Sequence, residues 1–147
     1  MWIKGIVGDL TEKHKTNNPF EIAKAKNIYV VEHSLHEEIY GFYKYIRRNK
    51  FIFLNSSLEE KAKLFTCAHE LGHSELHQKL STPFLKRKTL CSIDKIETEA
   101  NRFAVELLLP DDAIYNYKDS RLSIKEIAGI HGVPEEVAHL KKFRNVR

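Results

Sequence analysis

The stretch Thr66-Cys67-Ala68-His69-Glu70-Leu71-Gly72-His73 carries the pattern His-Glu-x-x-His in the middle of the chain. It lies within residues 58–80, which contain one glycine and no proline. Ser56 or Ser57 can cap the start of a helix here, and acidic residues follow in the first turn, where the helix dipole favours negative charge. We therefore predict that the pattern lies in the middle of a helix over residues 58–80.

The two histidines of the pattern are candidate metal ligands. Residues four apart lie on one face of a helix, so His69 and His73 point the same way. Two imidazole nitrogens on adjacent turns can bind one Zn²⁺ at about 2.0–2.1 Å. Glu70 borders this face and is placed to take a proton from a water molecule rather than to bind the metal. The alternative is a solvated helix with two surface histidines. It is disfavoured by the apolar flanking residues Leu64, Phe65, Ala68, Leu71 and Leu76.

A second helix supplies a candidate third ligand. It is predicted to start at Ser92 or Asp94, to span residues 96–109 and to stop at Pro110. Glu97 lies at the edge of its core stripe, where a carboxylate is costly to bury unless it is paired or binds a metal. Two histidines and one carboxylate leave a fourth position open for water, as in catalytic zinc sites. The alternative for Glu97 is a surface helix acid.

Glu99 is the competing carboxylate on this second helix. It is rotated about 200° from Glu97 on a helix of 3.6 residues per turn, so the two should face different ways. We predict that Glu97 binds the metal. Glu99 is predicted to project towards solvent and to pair with a cation such as Lys95 or Arg102.

The composition is that of an ordinary globular chain. The 147 residues suit one domain, with 42% hydrophobic residues, 30% charged residues and a net charge of +4. No apolar run approaches the roughly 18 residues of a membrane span, and the N-terminus lacks the apolar core of a signal peptide. Cys67 and Cys91 form no disulfide framework, and Cys67 is predicted to face the core rather than the metal. These features favour a cytoplasmic protein.

The rest of the chain predicts an α+β fold. Apolar residues at helical spacing predict a first helix over residues 2–16, and Asn18 followed by Pro19 predicts the start of another. Runs of β-branched and aromatic residues predict three strands, with a hairpin joint at residues 47–50. The helix that starts at Pro19 is predicted to end near Asn27. The three strands are predicted to span residues 28–32, 41–46 and 51–54. The sequence thus predicts a small, mainly antiparallel sheet packed on helices.

Two basic segments lie in predicted loops. The hairpin joint contains Arg47, Arg48 and Lys50, which favour solubility and resistance to edge aggregation over nucleic-acid binding. Residues 81–93 include the run Lys86-Arg87-Lys88. Exposed loops of this kind can line a cleft and contact a substrate, although a solvated run of charge is the favoured interpretation.

Two segments of the chain resemble a known family. His69-Glu-Leu-Gly-His73 with a following His77, and the block Ile96-Glu-Thr-Glu-Ala-Asn-Arg-Phe-Ala-Val-Glu-Leu-Leu-Leu-Pro110, closely resemble the ImmA/IrrE metallopeptidases. The second block is far more specific than the first. The resemblance extends to the Asn-Pro-Phe-Glu-Ile-Ala segment and the Gly-Phe-Tyr strand, and so covers residues 17–114.

The resemblance implies a zincin-like fold of the gluzincin type. By motif, His69, His73 and Glu97 would bind zinc, and Glu70 would act as the general base. Asn101 lies one turn after Glu97 and can orient a ligand. Family members of this size are typically encoded on prophages or conjugative elements, where they relieve repression by cleaving a helix-turn-helix repressor. The implied activity is therefore zinc-dependent cleavage of a repressor protein.

Two further residues are candidates for contacts with ligand or substrate. His77 follows His73 by four residues and can be a site residue or a helix-end histidine that interacts with the helix dipole. Tyr43 is one of several groups chemically able to stabilise the oxyanion, together with Tyr45, Tyr115 and His77. The sequence does not decide among them.

The C-terminal segment, residues 118–147, has the outline of a helix-turn-helix. Its second helix begins Pro134-Glu135-Glu136, and these acids would face DNA phosphates unfavourably. The cations that follow would suit phosphate; they are Lys141, Lys142, Arg144 and Arg147. We favour helical packing or partner binding over direct nucleic-acid recognition.

The sequence therefore predicts one metallopeptidase domain over residues 1–147, with a zincin-like core at 1–117 and a helical segment at 118–147. Two competing classes remain open. One is a metal-stabilised protein that binds a repressor without cutting it, and the other is a helix-turn-helix DNA-binding protein. The intact Glu70 favours catalysis over binding alone, and the acidic start of the last helix argues against DNA. No membrane partner is expected.

Overall fold

The computed structural model describes residues 2–80 and 82–143, and within those ranges it contains seven α-helices, one 3₁₀ helix and three strands. The helices are α1 (Trp2–His14), α2 (Pro19–Ala25), α3 (Glu60–Leu76), α4 (Lys95–Leu108), α5 (Asp111–Tyr115), α6 (Ile124–Ile130) and α7 (Glu135–Ala138). The strands are β1 (Tyr29–His33), β2 (Gly41–Ile46) and β3 (Asn49–Asn55), and the 3₁₀ helix spans Arg87–Cys91. Arg144 and Arg147, two of the cations predicted to suit phosphate, lie outside the described residues.

The α+β class is confirmed, with three strands in the order β1-β3-β2. β2 and β3 are antiparallel, with Phe42 opposite Phe53, whereas β1 and β3 are parallel, with Val31 opposite Phe53. The sheet is therefore mixed, where the sequence predicted a mainly antiparallel one. The hairpin occupies one edge of β3, so β1 pairs with the other edge. Its direction there is set by the path of the connection to β2, which the composition of the strands does not encode.

The predicted hairpin is confirmed, and a tight turn joins its strands. Arg47 and Arg48 have φ values of 49° and 66°. Two-residue hairpin turns need this left-handed conformation to match the right-handed twist of the strands. β3 begins at Asn49, earlier than the predicted residue 51, because its pairing with β2 continues to the turn.

α3 lies between the sheet and α4 and forms the centre of the fold. Tyr43, Ile52 and Leu54 project from the sheet and are fully buried in the same core cluster as residues of α3 and α4. Every residue of α3 from Phe65 to Ser74 is buried. The His-Glu-x-x-His pattern therefore lies in the interior, and the alternative of a solvated helix with surface histidines is wrong.

The ends of α3 differ from the prediction. The helix begins at Glu60 after Glu59, which makes no side-chain capping bond. Ser57, a predicted cap, instead donates its hydroxyl and its backbone N–H to the Asn55 side chain in the turn that follows β3. At the other end the helix stops at Leu76 rather than residue 80, and His77 already has a non-helical φ of −136°.

Two other predicted helix starts are confirmed. The Asn18 side chain accepts hydrogen bonds from the backbone N–H groups of the first turn of α2, with Pro19 at the first helical position. The Asp94 side chain accepts from the N–H groups of Ile96 and Glu97, so Asp94 rather than Ser92 caps α4. The Asp94 cap fixes where α4 begins and hence the position of Glu97 along α4.

The C-terminal segment packs onto the core through α6 and α7. Gly132 turns the chain between these helices with a φ of +84°, and Ile127, Val137 and Leu140 join the core cluster. α7 has only four residues. Lys141 was predicted to suit phosphate, but its side chain is buried and its Nζ lies 2.7 Å from Glu106 Oε1 of α4. A lysine held in this way cannot reach a nucleic acid without breaking a buried ion pair.

The two cysteines of the chain differ in their exposure to solvent. Cys67 is buried in the core, as predicted, Cys91 is exposed, and neither forms a disulfide. Burial raises the pKa of the Cys67 thiol well above its usual range.

No helix in the described parts of the chain is long and apolar enough to cross a membrane.

Candidate metal centre

One face of α3 presents both histidines of the pattern to α4. His69 and His73 are almost completely buried, at 1% and 0% exposure. Their rings meet edge to face, with centroids 4.8 Å apart. The four-residue spacing thus brings the two imidazoles together, as a helix dictates.

Glu97 lies opposite the two histidines, on α4. Its Oε1 is 3.0 Å from His69 Nε2 and 3.0 Å from His73 Nε2. Although burial would raise it, the contacts with His69 and His73 lower the pKa of Glu97 to about 2. The carboxylate is therefore ionised, which is the form that binds a metal. The structure brings together the three residues that the sequence predicted as ligands.

The three atoms that converge here fit one cation. Two ligand atoms at about 2.0–2.1 Å from a tetrahedral metal lie about 3.3 Å apart, so a metal requires the observed 3.0 Å contacts to open by a few tenths of an ångström. Glu97 Oε2 is buried without a hydrogen-bond partner among the described residues. An uncompensated buried oxygen is costly, and a cation at this point would compensate it.

The outer nitrogen of His69 is held by Asn101. Its Nδ1 lies 2.8 Å from Asn101 Oδ1, and both side chains are buried. An amide oxygen can only accept, so the imidazole Nδ1–H donates to Asn101. In the neutral imidazole, Nε2 then carries the lone pair that would bind a metal at the centre of the site. The structure thus places Asn101 in the orienting position that the sequence predicted for it.

Glu99 and His77 form a contact that the sequence did not predict. Glu99 Oε1 lies 2.9 Å from His77 Nε2, and its side chain is only 17% exposed. The prediction that Glu99 projects towards solvent is therefore wrong. His77 is the first residue after α3, so its side chain departs from the helical direction and reaches Glu99 on α4. The sequence predicts a helix through residue 80, which makes His77 helical. On that prediction, the two-residue spacing of Glu97 and Glu99 does not indicate a contact between Glu99 and His77.

Glu70 is buried beside the histidines with neither carboxylate oxygen bonded within the described chain. His69, Glu70 and His73 offer side-chain atoms within 4.8 Å of one another. Burial raises the pKa of Glu70 to about 8, against the opposing effect of His69. Burial also lowers the pKa of His73 to about 4, which keeps that imidazole neutral. For His69, burial acts in the same direction, but the charges of Glu70 and Glu97 outweigh it and raise its pKa.

Tyr43, a candidate for oxyanion stabilisation, is engaged elsewhere. It is fully buried and its hydroxyl donates to the carbonyl of Gln78. Burial raises the pKa of Tyr43 to about 12. The Tyr43 hydroxyl is therefore bonded to the segment after α3. Tyr115, another candidate for oxyanion stabilisation, lies on α5 and is 63% exposed.

A cleft of about 640 Å³ opens beside Glu97. One wall carries apolar side chains, including Phe84 and Ile96, and the loop after α3 contributes Lys86 and Lys88. The basic loop that the sequence placed at residues 81–93 thus lines a cleft that reaches the candidate centre.

Gly72 allows α3 and α4 to approach closely. A Cβ added at Gly72 would lie 3.0 Å from Phe103 Cβ and 3.1 Å from its Cγ. We expect Gly72→Ala to cost about 1–3 kcal/mol of the free energy of unfolding, because the helices must separate. Urea denaturation measures this cost. Gly129→Ala in α6 is the control, since its added Cβ meets nothing within 4 Å. Equal stability of the two variants would contradict close packing at Gly72.

The fold and the site together are of the metallopeptidase type: Glu97 contacts both histidines of the pattern, and Glu70 is buried beside them. The chain belongs to the Peptidase M78 family, because the family model described as the IrrE N-terminal-like domain matches residues 23–141. The predicted family is thus confirmed.

Two relatives extend over nearly the whole chain. "Uncharacterized immunity region protein 2" of Bacillus phage phi105 is 50% identical over 145 residues, which cover 99% of this chain and 92% of that protein. "Metallopeptidase ImmA" of Bacillus subtilis (strain 168) is 31% identical over 143 residues, which cover 95% of this chain and 83% of that protein.

Proposed function

We propose that the protein is a zinc-dependent endopeptidase of the cytoplasm that cleaves a helix-turn-helix repressor of a prophage or mobile element. The observation that carries the proposal is the convergence of Glu97 Oε1 on His69 Nε2 and His73 Nε2, each 3.0 Å away. The immunity-region name of the phage relative supports a phage regulatory setting. The two unpaired cysteines support a reducing compartment.

Each group around the centre has a task in peptide hydrolysis. Zinc, when bound, would polarise the scissile carbonyl and acidify a water molecule. The Glu70 carboxylate would accept a proton from the attacking water and return it to the leaving amine. Burial raises the pKa of Glu70 above the usual range of a glutamate, so its carboxylate is a stronger base than an exposed one. His69, His73 and Glu97 would hold the metal, and Asn101 would orient His69 through its contact with Nδ1.

The cleft beside Glu97 suits an extended peptide segment. Phe84 and Ile96 can contact apolar side chains, whereas Lys86 and Lys88 can pair with acidic ones. The expected cleavage site therefore lies in a segment of the repressor that carries both kinds of residue. The wall of the cleft belongs to a loop and to the first turn of α4, so the substrate enters next to the glutamate that binds the metal.

The metal ligands can be tested without a substrate. We expect the protein to bind about one equivalent of zinc, because three protein ligands and one open position are typical of a catalytic site. His69→Ala and Glu97→Ala should each lower zinc affinity by more than the roughly 10–100-fold typical of losing an outer partner of a ligand. Metal analysis and chelator competition measure this. His139→Ala removes an exposed histidine and should leave affinity unchanged. Full zinc binding by His69→Ala would contradict the ligand set.

The substrate is tested by incubation of the zinc-loaded protein with the repressor from its own genomic neighbourhood. Two fragments should appear by mass spectrometry, and a chelator should prevent them. A stable complex without fragments would contradict cleavage and support the alternative of a non-catalytic repressor-binding protein. Cleavage that persists with the metal removed would contradict the metal-dependent mechanism.

A further inference from the structure

We propose that His77 and Glu99 form a hydrogen-bonded chain that orients His73 and selects which of its nitrogens binds the metal. The inference rests on the metal centre proposed above. It assigns a positioning role to two residues that lie outside the ligand set. Neither residue contacts the converging atoms, and both act through His73.

The chain is continuous from the centre of the site to the surface of α4. His73 Nδ1 lies 3.0 Å from His77 Nδ1, and His77 Nε2 lies 2.9 Å from Glu99 Oε1. The side chains are shielded from solvent, with 8% exposure for His77 and 17% for Glu99. Hydrogen bonds between shielded groups are stronger than exposed ones, so the chain can fix the His73 ring.

A count of protons indicates how the chain is polarised. Three contacts follow one another: Glu97 to His73, His73 to His77, and His77 to Glu99. Two neutral imidazoles supply two N–H donors for these three contacts. With both imidazoles neutral, one of the three contacts therefore joins two acceptors, and a cation at that contact would complete it.

The contact between Glu97 and His73 is the one that a metal ion completes. His77 Nε2–H then donates to the Glu99 carboxylate, and His73 Nδ1–H donates to His77 Nδ1. His73 Nε2 is left with its lone pair directed at Glu97 Oε1 and at the ion. Glu99 fixes the direction of the whole chain, because a carboxylate can only accept.

The two ligand histidines are thus held by different partners. His69 donates to a neutral amide, Asn101, whereas His73 donates to a second imidazole that is backed by a carboxylate. A charged group behind a ligand histidine raises its basicity as a ligand. Two of the three glutamates of α4 thus have different roles: Glu97 faces the centre, and Glu99 contacts it through His77 and His73.

Zinc affinity and the spectrum of cobalt-substituted protein test the chain. We expect His77→Ala and Glu99→Ala each to lower zinc affinity about 10–100-fold in chelator competition. His77→Asn keeps an oxygen near the position of Nδ1, so it should recover part of the loss. The visible Co²⁺ spectrum should shift in both alanine variants, because it reports ligand orientation.

Glu75→Ala is the matched control. Glu75 lies on α3, its side chain is 11% exposed, and it pairs with Lys26 at 3.1 Å without contacting a ligand histidine. It should lose an ion pair of similar burial while keeping zinc affinity and the Co²⁺ spectrum. If Glu99 only stabilised the fold, Glu99→Ala would keep its zinc affinity and Co²⁺ spectrum, as this control should.

The outcomes separate the chain from the metal centre. Zinc affinity of Glu99→Ala and His77→Ala within twofold of the wild-type value would overturn the chain and leave the ligand set intact. Absence of metal binding by the wild-type protein would overturn the centre and the chain together. If His77→Ala does not fold, Glu99→Gln decides: it should bind zinc less tightly than the wild type and at least as tightly as Glu99→Ala, and wild-type affinity in both Glu99 variants would overturn the chain.

Discussion

Replacement of Glu70 by glutamine should lower the rate of repressor cleavage about 10²–10⁴-fold while the protein keeps its fold and its metal. Glutamine has nearly the shape of glutamate but cannot accept the proton of the attacking water. The carboxylate of Glu70 makes no hydrogen bond to the described residues, so its replacement breaks none of the contacts that the structure shows. The large effect should therefore appear in turnover alone.

The measurement is single-turnover cleavage of the repressor by the zinc-loaded variant, with zinc content and circular dichroism as checks. Glu75→Gln is the control, because Glu75 lies on the same helix and pairs with Lys26 away from the site. It should retain the wild-type rate. Near wild-type turnover by Glu70→Gln would assign Glu70 a structural role and leave the base unidentified.

Glu106→Ala should lower the free energy of unfolding by about 3–5 kcal/mol, the range for removing one partner of a buried ion pair. Glu106 Oε1 lies 2.7 Å from Lys141 Nζ, and the two side chains are 2% and 1% exposed. Glu106 Oε2 also accepts from the backbone N–H of Lys142. This glutamate therefore holds residues 141 and 142 against α4. After its loss, the buried Lys141 keeps an acidic neighbour in Asp111, whose Oδ1 lies 2.8 Å from Lys141 Nζ.

A double-mutant cycle measures the coupling of Glu106 with Lys141 within the cluster that Lys4 and Asp111 complete. Glu106→Leu combined with Lys141→Met should recover much of the stability lost in the single variants, because well-packed apolar residues can replace a buried ion pair. Urea denaturation gives the four free energies. Glu32→Ala is the control: it removes the Lys63–Glu32 pair, in which Glu32 is 48% exposed, and should cost no more than about 1 kcal/mol. Equal losses in Glu106→Ala and Glu32→Ala would show that the buried pair does not stabilise the fold.

Local spacing made part of this structure predictable. The caps at Asn18 and Asp94 and the four-residue spacing of His69 and His73 depend on groups within one or two turns, so the sequence contains the whole interaction. Glu97 was predictable for a related reason. Its place at the edge of an apolar stripe indicated a carboxylate that needs a partner.

Only the tertiary structure decided the contacts that join distant segments. The parallel pairing of β1 depends on the path between strands, and the Glu106–Lys141 pair depends on how the C-terminal segment packs on α4. The contact of Glu99 with His77 depends on the point where α3 stops, because His77 lies beyond the last residue of that helix. The sequence by itself thus determined that His69 and His73 share one face of α3 and that Glu97 lies on a second helix. The contacts of these histidines with Asn101 and with His77 and Glu99 depend on long-range packing. The free energy of that packing is shared among residues far apart in the chain, so no single segment shows it as a periodic pattern.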